Sequence, residues 1–210
     1  MQNILRDDIE YIVHTEPDGT VIGPISKVHA HYPGVRSTLT HYSTWSMIFH
    51  PESGTYGIQL KNPKKGDALT DGKWDMGVAG YNCYIKDGSA WRYTNFEETL
   101  VKEAGEEIGL QLTVFDSLEE FLKNIGHTNA AYFFDRFLWR TNQDNEYVGL
   151  AFVTVVEQKT IFVDDEVVDF KWMLPEELKE FLQTGTNYCA ALSVIFEKAE
   201  QFRLTALNEV

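Results

Sequence analysis

The residues best suited to chemistry lie together in Asn95-Phe-Glu-Glu-Thr-Leu-Val-Lys-Glu-Ala-Gly-Glu-Glu-Ile-Gly-Leu110. At about 100° per residue, an α-helix here places Glu103, Glu106 and Glu107 within about 100° of arc. Phe96, Leu100, Ala104 and Ile108 form an i, i+4 apolar stripe beside them, and Glu107 falls within its angular range. A carboxylate pressed against a packed stripe is costly to desolvate unless something pairs with it. A hard divalent cation bound through carboxylate oxygens, Mg²⁺ or Mn²⁺, is one economical partner. Taken alone, the three glutamates read equally well as a solvated acidic face.

A helix carrying such a site needs a core, and the composition supplies one. The 210 residues are 43% hydrophobic and 13% aromatic, which excludes global disorder. No repeat, low-complexity tract or Pro/Gly-rich linker divides them, so one domain over 1–210 is expected. Eighteen Lys+Arg against 32 Asp+Glu leave a formal net charge of −14. That balance argues against a nucleic-acid polymer, because tracking phosphates takes a cationic face. A small phosphorylated ligand stays compatible, since a bound divalent ion reverses the local sign of an acidic pocket. Cys83 and Cys189 are too few for a disulfide framework and too far apart for a Cys-x-x-Cys clip. No run approaches about 18 apolar residues, and the N-terminus has no apolar signal core. A cytoplasmic protein without a membrane partner is expected.

Apolar alternation and turn residues predict strands over 10–15, 44–50, 56–60, 74–79, 131–139, 149–156 and 168–173, with 111–115 extended. Helices are predicted over 96–108, stopped by Gly109, over 118–125, after Pro175, and over 188–207. Residues 1–40 form an N-terminal strand and lead-in, and 186–210 a C-terminal helix. The pattern is α/β, an α/β/α sandwich with a mixed central sheet.

The stretch Lys102-Glu-Ala-Gly-Glu-Glu-Ile-Gly-Leu110 resembles the second half of the Nudix signature, Arg-Glu-U-x-Glu-Glu-x-Gly-U with U aliphatic. The specified positions match except that Lys102 stands for Arg, and Ala104 is a small choice for U. Gly72-Lys-Trp-Asp-Met-Gly-Val-Ala-Gly80 resembles the strand and glycine leading into that signature. The wider frame is similar to the isopentenyl-diphosphate-isomerase-like branch. It has a His-containing strand at Leu39-Thr-His41 and Trp45-Ser-Met-Ile-Phe49, then a lysine-rich loop at Gln59-Leu-Lys-Asn-Pro-Lys-Lys65. Asp165 to Leu178 resembles the late strand-to-helix segment, and the likeness spans roughly 10–185. Two departures stand out. The family glutamate eight residues before the Arg is Thr94 here, with Glu97 and Glu98 as nearby substitutes. The opening glycine, about fourteen residues before the Arg in the family, is here Gly80, and 102 − 80 = 22, so about eight residues near 81–88 are inserted.

The resemblance implies a Nudix-type fold and a Mg²⁺- or Mn²⁺-dependent diphosphatase acting on a nucleoside diphosphate joined to another group. Glu106 and Glu107 would be the main metal ligands, with the Gly80 carbonyl a third. Glu103 would bind metal or activate water, making Glu103 and Glu107 the catalytic pair. Glu166 is a candidate supplementary ligand or an ordinary surface carboxylate. Trp91, Tyr93 and Arg92 are candidate substrate contacts, as are Lys64 and Lys65. An alternative is a catalytically weak Nudix domain that binds a nucleotide or partner. A third is an isomerase, in which His29, His31 and His41 would lie near a metal. The isomerase cysteine position, however, is Ala79, the following histidine position is Tyr81, and Cys83 comes later. His41 itself reads as a packed strand residue, and Cys189 as a buried thiol within a helix. Phe196 and Phe202 on the C-terminal helix are candidates for a homodimer contact.

Overall fold

The structure, a computed structural model, describes residues 5–64, 66–67, 69–159 and 165–207. Lys65 lies outside them. In chain order the elements are β1 (Tyr11–Thr15), β2 (Val21–Ser26), α1 (Lys27–Ala30), β3 (His41–His50), β4 (Thr55–Lys61), β5 (Trp74–Asp75), β6 (Val78–Tyr81), β7 (Tyr84–Asp87) and β8 (Ala90–Tyr93). They continue with α2 (Phe96–Ile108), β9 (Thr113–Val114), α3 (Leu118–Asn124), β10 (Ala130–Arg140), β11 (Asn145–Thr154), β12 (Val167–Met173), α4 (Pro175–Thr184) and α5 (Ala190–Ala206). The chain forms two compact units. The first comprises Met1–Thr44, Gly80–Thr99 and Asp135–Gly149, and the second Trp45–Ala79, Leu100–Phe134 and Leu150–Val210.

The second unit contains β12, β4 and β9 and parts of β3, β11 and β10, strands that pair in the order β12-β4-β3-β11-β10-β9. β4 is antiparallel to β3 and β12, whereas β9 runs parallel to β10, so the sheet is mixed. Its core joins Leu100, Ala104 and Ile108 of α2 to Ile48, Val78, Ala151 and Val153 from the strands. The stripe inferred from helical spacing is therefore the face that α2 buries. The predicted strand 74–79 is broken in two. The Met76 N–H bonds the Asp75 side chain, and a Cβ on Gly77 would lie 2.5 Å from Ile48, so the chain turns there from β4 to β3. On α5, Phe196 packs edge-on against Tyr56 and Phe202 stacks on Tyr132 and Phe134, all inside this unit. Phe196 is buried and Phe202 is half-buried, so both rings are engaged within this unit. Cys189 is buried as expected, but it precedes α5 as the N-cap residue and is not within the helix.

The first unit contains the β1–β2 hairpin, which turns at Gly19 with φ +87°. A Cβ there would meet the Tyr147 ring at 2.6 Å, so the position requires glycine for backbone and space alike. β2 was not predicted, because Gly23 and Pro24 interrupt its apolar pattern; pairing with β1 forms it. The inserted residues build a second hairpin, β7–β8, turning at Gly88 with φ +61°.

Candidate metal and catalytic site

The helix that presents the glutamates is anchored at its first turn. The Asn95 side chain accepts from the Glu98 N–H at 2.8 Å, and Glu98 accepts from the Asn95 N–H at 3.0 Å, a reciprocal capping box. Glu98 also pairs with Arg92 at 2.7 Å. It is thus occupied in starting the helix. At the other end Gly109 takes φ +64° and the Leu110 N–H bonds back to Ala104, closing α2 where Gly109 was expected to stop it.

The three glutamates meet very different surroundings. The Glu107 side chain is 1% exposed, that of Glu103 16%, and that of Glu106 55%. Glu107 Oε1 takes the Lys61 ammonium at 2.5 Å, and Oε2 accepts from Gln59 Nε2 at 3.1 Å. Both partners come from β4, two residues apart and therefore on one strand face. Lys102 Nζ bridges Glu103 at 2.9 Å and Glu106 at 2.8 Å. Burial pushes the Glu107 carboxyl up to about 7 against the opposing pull of Lys61 and Gln59. Burial likewise raises Glu103, partly countered by Lys102, and the nearby Glu166 charge adds to the rise. The Lys61 ammonium is held above its ordinary value: burial would lower it, but Glu107, Asp75 and Glu166 more than compensate.

The residues fit a divalent cation on one specific ground. Gln59 spends its amide nitrogen on Glu107, which leaves its Oε1 buried without a hydrogen-bond partner. A hard oxygen donor with no proton to accept, set beside carboxylates, is the donor chemistry that Mg²⁺ and Mn²⁺ select. Glu103, Glu106, Glu107 and Gln59 would hold such an ion. The sequence reading missed Gln59 and Lys61. Their signal was a polar pair at i, i+2 after the apolar run Tyr56-Gly-Ile58 of β4.

Glu166 joins this electrostatic group through Glu103 and Lys61. Gly80, Trp91, Arg92 and Tyr93 belong to the first unit. The Gly80 carbonyl accepts from the Ser43 hydroxyl at 3.4 Å. Trp91 meets the Tyr11 ring edge-on, Tyr93 meets Tyr84, and Arg92 pairs with Asp87 and Glu98.

The first unit carries a second cluster, in which the ligand atoms of His41, Asp144 and Glu146 all lie within 4.8 Å of one another and all three residues are buried. His41 Nδ1 lies 3.4 Å from the Leu39 carbonyl, which can only accept, so this nitrogen carries the proton. The Nε2 lone pair is then left buried without a partner, as is Glu146 Oε2. Asp144 is held by Arg36 at 2.8 Å. Burial drives the His41 imidazole down to about 4, so it is neutral near pH 7. A packed strand residue was expected at His41; the packing is there, and two carboxylates face it. Asp144 and Glu146, spaced i, i+2 where β11 begins, went unnoticed. His29 is exposed on α1.

No protein-family model matches the chain, and no curated protein does. Among solved structures it is similar to DR0079 from Deinococcus radiodurans, with a TM-score of 0.63 at 15% identity over 90% of this chain and 99% of that one. It is also similar to a MutT protein from Methanosarcina mazei Go1, with a TM-score of 0.52 at 14% identity over 77% and 94% of the two chains. At this identity the likeness speaks for the fold, a Nudix-type α/β/α sandwich with a mixed central sheet.

Proposed function

We propose that the chain is a Mg²⁺- or Mn²⁺-dependent hydrolase that cleaves the diphosphate linkage of a nucleoside diphosphate joined to another group. The observation that carries this reading is Glu107, a carboxylate buried on the packed face of α2 beside the unpartnered Gln59 oxygen. A bound divalent ion would supply charge neutralisation of the diphosphate and acidify a water. Glu103, partly open to solvent, would take a proton from that water, and burial raises its carboxyl above the ordinary range, which strengthens it as a base. Glu106, the most exposed of the three, is released from Lys102 at little cost. Trp91, Arg92 and Tyr93 on the inserted hairpin, with the Gly80 carbonyl, remain the candidates for contact with the substrate or the ion.

The test is phosphate or nucleoside monophosphate release from a panel of nucleoside-diphosphate-linked compounds, with and without Mn²⁺. Release that needs the cation and falls by orders of magnitude in Glu106→Gln and Glu107→Gln supports the reading. Nucleotide binding without release would leave a non-hydrolysing Nudix module instead.

A second reading is favoured by the His41, Asp144 and Glu146 cluster. It is a separate cation centre of the kind that the resemblance to isopentenyl-diphosphate isomerases implies near His31 and His41. Ala79 in place of the cysteine leaves allylic proton transfer without one of its partners. The reading therefore extends to cation binding, and interconversion of isopentenyl and dimethylallyl diphosphates would be needed to carry it further.

A further inference from the structure

We infer that Lys61 is a built-in cation of the glutamate cluster, taking a position that a divalent ion would otherwise fill and so limiting how many ions the cluster accepts. The inference rests on the proposed metal role of α2 and deepens it.

Every glutamate of the cluster already meets an ammonium group, but the two lysines involved are not equivalent. Lys102 stands on α2 itself with its side chain 55% exposed, gripping Glu103 and the exposed Glu106 from outside. It can swing into water and be fully hydrated there, so an arriving cation displaces it easily. Lys61 rises from β4 with only 13% of its side chain exposed and meets a carboxylate that is 1% exposed. Its charge also acts on Asp75, a buried neighbour of Gln59 across the β4–β5 pairing, and on Glu166. Removing that ammonium without replacement would leave the buried Glu107 and Asp75 without the cation whose charge acts on both. Such carboxylates must protonate or find another cation. Lys61 has no open solvent to retreat into.

The consequence is an order of events. A divalent ion would enter at Glu103 and Glu106, displacing Lys102, and would share Glu107 with Lys61, which stays on its Oε1 as a fixed single charge. The buried Gln59 oxygen is the further donor that such an ion would find beside Glu107. An ammonium group cannot bind water as a ligand and acidify it as a metal does, so its presence trades one metal's chemistry for a permanent counter-charge.

The experiment is a Mn²⁺ titration of the full chain, read by loss of the free-ion electron paramagnetic resonance signal, for wild type, Lys61→Met, Lys61→Arg and Lys61→Met/Glu107→Gln. Lys61→Met is expected to bind one more ion per chain than wild type, or to bind Mn²⁺ at least tenfold more tightly. Lys61→Arg keeps the charge and should keep the wild-type count. The double variant removes lysine and carboxylate together and should lose the gain. If Lys61→Met folds poorly, thermal unfolding with and without Mn²⁺ decides: rescue by the ion supports the inference, and a melting point unmoved by Mn²⁺ overturns it. Equal stoichiometry and affinity in wild type and Lys61→Met also overturn it. These readouts are independent of turnover. Unchanged ion binding in a chain that still hydrolyses would sink the lysine inference alone, whereas an extra ion in a chain with no hydrolysis would sink the catalytic reading alone.

Discussion

Glu106 and Glu107 are adjacent in the chain and opposite in surroundings, so the same substitution should report different physics at each. Glu106→Gln removes an exposed ion pair and should change stability by no more than about 0.5 kcal/mol. Glu107→Gln leaves the Lys61 charge buried without its carboxylate, which should cost about 3–5 kcal/mol in urea unfolding at pH 8. Both should lower turnover by orders of magnitude. Equal stabilities for the two variants would show that Glu107 is not the buried partner of Lys61. His41 gives a pH signature. Its folded pKa of about 4 lies below the unfolded value of 6.5, because burial and the Arg36 and His31 charges outweigh the attraction of Asp144. The unfolded chain therefore holds the proton more tightly, and stability falls as pH drops from 6.5 towards 4, by up to about 3 kcal/mol. His41→Gln should lack that part of the acid loss. Parallel pH curves for the two proteins would remove His41 as its source.

At the scale of elements, α2 depends on its first turn and the inserted hairpin on its aromatic strand. Asn95→Ala removes one half of the capping box and should cost about 1 kcal/mol, seen as a lower urea midpoint with unchanged slope. Gly149 shows how closely the start of this helix is packed, since a Cβ there would come 2.6 Å from the Phe96 ring. Trp91 sits on β8 against Tyr11. If it touches the substrate, Trp91→Ala should raise KM severalfold with kcat nearly unchanged, the pattern of lost uniform binding. A fall in kcat alone would assign that ring to positioning the helix start. The helix span, its stop at Gly109 and most strands could be read from the chain because periodicity and turn chemistry act locally. β2 could not, for it has no apolar alternation of its own. The break at Met76–Gly77 was equally hidden, because it answers to Ile48 across the sheet.

For the molecule as a whole, the charge balance suggests how it behaves without metal. Lys61 and Lys102 already neutralise part of the cluster, so chelation by EDTA should abolish turnover while moving the melting temperature by no more than about 2–4 °C. Unfolding on chelation would mean that the ion, and not the lysines, is the structural counter-charge. What the chain determined by itself is whatever depends on neighbours within a turn or two: the capped helix, its apolar stripe and three glutamates spaced to share a face. The partners of that face came from the tertiary structure alone. Gln59 and Lys61 lie 48 and 46 residues from Glu107, and His41 meets Asp144 and Glu146 from more than a hundred residues away. Strand register decides which distant side chains are brought together and which are shut away from water. Pairing and desolvation, the two quantities that set the charge state of a carboxylate, follow from that register and not from local spacing.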